Sequence, residues 1–146
     1  MHLPDVNVWL ALSLSGHVHH AAARDWLEGI RKSDSVFFCR ATQQGLLRLL
    51  TTSQVLAPSG NPPLSNREAW EVYERLRADG RIAFATEPSG AETVWQALAN
   101  QNTASPKLWM DAWLAAFALS AGLRLTTTDR AFSQFPKLNA AILGLQ

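Results

Sequence analysis

Cysteine is nearly absent. Cys39 is the single thiol in 146 residues, so no internal disulfide can staple the chain. Its place in the run Val36-Phe37-Phe38-Cys39 reads as a buried structural thiol, compatible with a reducing compartment. Histidine is scarce too, and three of the four (His17, His19, His20) crowd one helix start, which makes zinc there a minor reading. Neither sign of charge dominates: 13 basic against 12 acidic residues leave a formal +1, so no global field announces a polyanionic partner. A local basic patch beside acidic residues stays compatible with that balance. No apolar run nears the ~20 residues needed to cross a bilayer. Asp5 and Asn7 interrupt the N-terminus before a signal-peptide core can form, so the expectation is a cytoplasmic protein off the membrane. Repeats and low-complexity tracts are missing as well.

The rest is globular. Hydrophobic residues make up 47% and charged residues 17%, and the length suits one domain over residues 1–146. Short β-prone runs alternate with stretches of helical period. Strands are predicted near residues 2–6, 36–39, 82–85, 123–127 and 141–145. Helices are predicted over 8–14, 18–32, from Thr42 as N-cap through Leu50, from a Ser65/Glu68 capping box to Gly80, and over 89–100. Ser105-Pro106 is read as N-cap and first helical residue of the most apolar helix, which Gly122 closes. Residues 57–63 form a proline-rich loop. Strands separated by helices imply an α/β fold, with a mostly parallel sheet covered by helices on both faces. Ligands in such folds bind outside the carboxyl ends of the strands. Five of the six tryptophans fall in helical patterns and are expected in the core or at a dimer interface.

Most of the acidic residues lie on amphipathic helices or in turns, where charge is cheap. Three do not. Asp5 ends the first strand, Asp129 follows the strand ending at Thr127, and Asp111 is the one charge in Leu108-Trp109-Met110-Asp111-Ala112-Trp113-Leu114. Each has an ordinary explanation: Asp5 and Asp129 as helix caps, Asp111 as a partner of the helix dipole. A parallel sheet, however, can bring all three to one edge, where carboxylates repel unless protonated or neutralised by a cation. Hard oxygen donors without a Cys/His cluster point to Mg²⁺, or Mn²⁺ in its place.

Four segments resemble the PIN domain and, within it, the VapC toxins of VapBC toxin–antitoxin systems. They are Asp5-Val6-Asn7, Gly45-Leu46-Leu47-Arg48-Leu49-Leu50-Thr51, Trp109-Met110-Asp111-Ala112-Trp113-Leu114-Ala115-Ala116 and Thr126-Thr127-Thr128-Asp129-Arg130-Ala131-Phe132. The resemblance covers essentially the whole chain. It implies a single PIN-like domain that cleaves RNA with Mg²⁺ or Mn²⁺. Asp5, Asp111 and Asp129 would be catalytic and metal-binding, with Asn7 and Thr127 supporting them. It also implies a VapB-like antitoxin and a homodimer. Arg48, Lys107 and Arg130 are candidate RNA contacts, each near an acidic motif in sequence. One departure stands out. Many PIN domains carry a glutamate where this chain has Gly45, beside Gln44, so a two-metal site is in doubt and a non-cutting RNA- or antitoxin-binding protein is the alternative. A haloacid-dehalogenase-type phosphatase is disfavoured, since Asn7 stands where a second aspartate is needed.

Overall fold

The computed structural model describes residues 1–144. Five strands, β1 (His2–Pro4), β2 (Val36–Phe38), β3 (Ile82–Phe84), β4 (Arg124–Thr127) and β5 (Ala140–Ile142), form one sheet in the order β3-β2-β1-β4-β5. Every pairing is parallel. The strand anticipated at the C-terminal end begins one residue earlier than expected, and its last residue, Leu145, lies outside the described residues.

Seven helices connect the strands: α1 (Val6–Ser13), α2 (His20–Glu28), α3 (Arg40–Leu50), α4 (Ser53–Leu56), α5 (Asn66–Arg77), α6 (Ala91–Ala99) and α7 (Leu108–Ala121). On one face of the sheet Trp9, Leu10, Val36, Phe38, Leu46, Leu50 and Tyr73 pack together. Trp9 lies flat on Phe38 there, with ring centroids 3.7 Å apart. On the other face Leu3 and Leu125 meet Leu114, Ala115, Phe117 and Ala118 of α7, with α6 outside them. Helices thus cover both faces, as apolar strands buried on two sides require.

Several boundaries differ from the sequence reading by a few residues, and three of them have a clear local reason. Helix α3 starts at Arg40, not after Thr42. Thr42 sits one turn inside and reaches back, its Oγ1 accepting the Cys39 N–H at 3.0 Å, so it caps in the reverse direction. Helix α2 stops at Glu28 because Arg81 Nη1 donates to the carbonyls of Leu27 (2.6 Å) and Ile30 (3.0 Å), which satisfies a frayed end. Pro106 belongs to a turn that Leu108 N–H closes on the Ser105 carbonyl at 3.0 Å, so α7 begins at Leu108. The other end of α7 is as anticipated: Gly122 takes φ 66°, where a side chain is disfavoured. The region read as a loop, residues 57–63, opens with a short 3-10 turn over Ala57–Ser59 directly after α4.

No helix among the described residues is long and apolar enough to cross a membrane.

Candidate active site

The first strand delivers Asp5 to the carboxyl edge of the sheet. Its backbone N–H donates to the Thr126 carbonyl at 2.8 Å, which extends the β1–β4 ladder by one rung and fixes where the side chain starts. Asp5 is only 4% exposed. Its Oδ1 accepts the Asn7 N–H at 2.8 Å and so caps α1. Its Oδ2 accepts the Thr127 hydroxyl at 2.6 Å. The same Thr127 oxygen accepts the Asp129 N–H at 3.0 Å. One hydroxyl therefore ties the end of β1 to the turn after β4, and Asp5 and Asp129 with them.

Asp129 is exposed and caps the 3-10 turn over Arg130–Gln134, its Oδ1 accepting the Ala131 N–H at 2.8 Å. Asp111 is half-buried in the first turn of α7. The capping explanations offered for Asp5 and Asp129 are thus correct as geometry. They do not account for the electrostatics. A carboxylate has about four acceptor positions, so a cap leaves capacity over.

Burial is the main reason the Asp5 carboxyl titrates above the ordinary range. The hydrogen bonds from Thr127 and Asn7 oppose that shift, and the charge of Asp129 adds to it. Asp111 is raised for the same first reason, with the charges of Asp5 and Asp129 pushing it further. Each of these two carboxyls thus feels the charge of other members of the trio. Among the described residues no ion pair neutralises any of the three; the ion pairs present serve Asp34, Glu28 and Asp79.

A cleft of about 510 Å³ opens over Asp111 and Asp129, lined also by Gln101, Ser105, Lys107 and Gln134. Lys107 is the one candidate RNA contact in that lining. Arg130 is exposed on the 3-10 turn beside it. Arg48 sits in the last turn of α3 and lines a separate hollow with Trp70 and Thr51. Asn7 contributes its backbone N–H to Asp5, and the residue itself is exposed. Gln101 and Gln134 carried no motif that singled them out, and Ser105 was read only as a helix cap.

The donor set suits a hard divalent cation. Among the described residues no three or more His, Cys, Asp or Glu side chains come together in a group that could hold a metal ion among them. Mg²⁺ does not ask for such a group: it usually keeps several waters and takes one or two carboxylates plus phosphate oxygens. Crowded, unpaired carboxylates at a cleft meet that requirement. The histidines near the N-terminus are engaged otherwise, His17 Nδ1 accepting the His19 N–H and His20 Nδ1 lying 2.8 Å from the Ala11 carbonyl.

Gly45 explains why no glutamate joins the trio from α3. A Cβ built at Gly45 would sit 3.0 Å from Val6 Cγ2. Helices α1 and α3 approach through that glycine, and a stiff β-branched side chain fills the space. Gly45→Glu is expected to lower stability by about 1–3 kcal/mol through overpacking. Val6→Ala in the same chain should recover most of the loss, as read from denaturant midpoints. An unchanged midpoint for Gly45→Glu alone would show that the helices are not held apart by this contact.

Comparison with known proteins agrees with the fold. A family model described as PIN domain matches residues 3–138. Ribonuclease VapC41 of Mycobacterium tuberculosis is 54% identical over 145 residues, covering 99% of both chains. Ribonuclease VapC29 of the same species is 34% identical over 131 residues, covering 87% of this chain and 84% of that one. Among solved structures, VapBC2 from Rickettsia felis bound to a DNA fragment from their promoter matches with a TM-score of 0.67 at 12% identity, over 97% of this chain and 98% of that one. The sarcin-ricin loop cleaving toxin VapC20 of Mycobacterium tuberculosis matches at 0.63 and 17%, over 95% and 99%. At such identities these structures speak for the fold alone.

Proposed function

We propose, because this chain belongs to the VapC family of PIN-domain proteins, that it is a divalent-cation-dependent endoribonuclease and the toxin of a type II toxin–antitoxin pair. The observation that carries the reading is the set of three acidic residues, Asp5, Asp111 and Asp129. The charge of Asp129 adds to the raised Asp5 carboxyl, those of Asp5 and Asp129 add to the raised Asp111 carboxyl, and no ion pair among the described residues neutralises any of the three. Such an arrangement is stable at neutral pH only with a proton or a cation supplied from outside.

Asp5 and Asp111 would hold Mg²⁺, or Mn²⁺ in its place, directly or through water, with Asp129 completing the charge. The chemistry a bound divalent cation supplies at such a site is acidification of a water and neutralisation of the phosphate. The protein's own residues do the rest. Thr127 holds Asp5 and the Asp129 backbone in register, Asn7 N–H fixes the Asp5 carboxylate plane, and Lys107 at the cleft wall attracts the phosphate chain. No side chain need act as a nucleophile.

The partners proposed with this function are an RNA substrate, a VapB-like antitoxin and a second copy of the chain, in the cytoplasm. Exposed Val18 and Trp70 offer apolar surface for the protein partners. One observation favours the alternative of an RNA- or antitoxin-binding protein that does not cut: Gly45 supplies no carboxylate from α3, and Val6 takes the space a side chain there would need. The test is end-labelled single-stranded RNA incubated with the protein in Mg²⁺, in Mn²⁺ and in EDTA. Cleavage in either metal, lost in EDTA and restored by excess metal, is the expected result. Retained RNA binding with no cleavage in saturating metal would establish the non-cutting alternative instead.

A further inference from the structure

Beside the carboxylate cleft lies a larger hollow of about 750 Å³ between α6 and the start of α7. Trp95 and Trp109 form its aromatic wall. Gln96, Asn100 and Gln101 bring three side-chain amides, and Glu92 brings the only charge in the lining. Gln101 and Ser105 line both this hollow and the cleft that holds Asp111 and Asp129.

Trp109 is 55% exposed, at the start of a helix whose middle is buried. It is nonetheless fixed. Trp95 Nε1 donates to the Trp109 carbonyl at 2.9 Å, and the two rings meet edge to face with centroids 6.0 Å apart. Trp113 supports Trp95 in turn, at 5.5 Å. The result is a braced aromatic platform open to solvent.

The chemistry of the lining selects the occupant. No lysine or arginine lines the hollow, and Glu92 would repel a phosphate. An apolar protein segment would strand three amides without partners, at a cost for each. A neutral, flat, hydrogen-bonding group suits both parts: its face stacks on an indole while its edge meets amides, the way unpaired RNA bases are commonly held. Phosphates would stay outside, toward Lys107 in the neighbouring cleft.

We propose that the hollow between Trp95 and Trp109 is a nucleobase subsite, taking one unpaired base of an RNA strand whose backbone runs past the carboxylate cleft. The proposal rests on the ribonuclease reading for its substrate class, and its test is arranged to stand apart from cleavage. Six tryptophans give six indole N–H signals in a nitrogen-15 spectrum. The protein is titrated in EDTA with each of the four ribonucleoside 5′-monophosphates, and with ribose 5-phosphate as the control lacking a base.

The signals of Trp95 and Trp109 should move saturably with at least one mononucleotide and stay still with ribose 5-phosphate, while those of Trp9 and Trp70 do not move. Trp109→Ala should weaken that binding about tenfold, and Trp109→Phe should keep most of it, as expected of stacking. The exposed ring makes Trp109→Ala a mild change to the fold, and Trp109→Phe retains an aromatic face if it is not. The subsite is overturned by an equal response to ribose 5-phosphate, by no response to any nucleotide, or by wild-type affinity in Trp109→Ala. It is also overturned if the Trp109 signal changes on dilution alone, since a second copy would then cover the hollow. A chain that cuts RNA but fails this titration loses the subsite only; one that passes but never cuts loses the nuclease reading only.

Discussion

Replacing Asp111 by asparagine is expected to slow RNA cleavage by on the order of 10²–10³, the range seen when one charge-stabilising group leaves an active site. The same variant should melt at a higher temperature than the parent in metal-free buffer. The two expectations come from one cause. Asp111 is raised by burial and by the charges of Asp5 and Asp129, so its ionised form opposes folding at neutral pH when no cation is present. A carboxyl with a raised folded-state pKa favours the folded state only once protonated, so stability is gained as pH falls through that pKa and lost as pH rises past it. The parent should therefore gain on Asp111→Asn as the pH is lowered from 7 toward the ordinary carboxylate range, and the gap between their melting curves should narrow. Each kcal/mol of relieved repulsion is worth about 2–4 °C at this chain length. Thermal melts in EDTA across that interval check it. A variant that melts lower than the parent at pH 7 would show that Asp111 serves the helix dipole and not a charge cluster.

Asp5 should behave differently, because it holds the fold as well as the charge. Asp5→Ala removes the cap of α1, worth about 1 kcal/mol, and leaves the Thr127 hydroxyl buried without its acceptor, at about 1–3 kcal/mol. Relief of the desolvated charge offsets part of that. Loss of cleavage on the same 10²–10³ scale is expected with a net loss of stability. Asp5→Asn keeps an oxygen for the Asn7 N–H and should fold closer to the parent while cutting no better than Asp5→Ala. Thr127→Ser retains the hydroxyl that joins Asp5 to the Asp129 N–H and should stay active, whereas Thr127→Val should lose about 10–100-fold, as supporting contacts of metal ligands commonly do. Measured rates and denaturant midpoints on these four variants separate the two duties of Asp5. Full activity in Asp5→Asn would remove Asp5 from the chemistry and leave it a cap.

The three acids drew notice through their combination, since each had an ordinary explanation taken singly. Asp111 stood alone in an apolar helix, and the strand ends at Asp5 and Asp129 followed from short β-prone runs. The rule that parallel sheets bind ligands at their carboxyl edge then placed those strand ends together. The strand order β3-β2-β1-β4-β5 was not readable, since short parallel strands carry no register pattern and pair through crossovers distant in sequence. The role of Gly45 was legible only as a missing glutamate. That Val6 takes the space is a contact between two helices, invisible to local pattern. Two of the tryptophans read as core or dimer-interface residues lie outside the core, for a related reason. Helix α7 is apolar on every side, which reads as burial all round. Yet its first turn leaves Trp109 and Met110 exposed, and Trp70 on α5 is exposed as well. The cap at Cys39 was displaced because the usual cap residue, Thr42, reached backward from inside the helix.

The central claim is that Asp5, Asp111 and Asp129 share a divalent cation. Anomalous diffraction from crystals soaked in Mn²⁺ tests it most directly. One peak within about 2–2.5 Å of an Asp5 or Asp111 oxygen, or one water removed, with Asp129 facing it, is the expected result. A map with manganese elsewhere, and none between these three side chains, would contradict it.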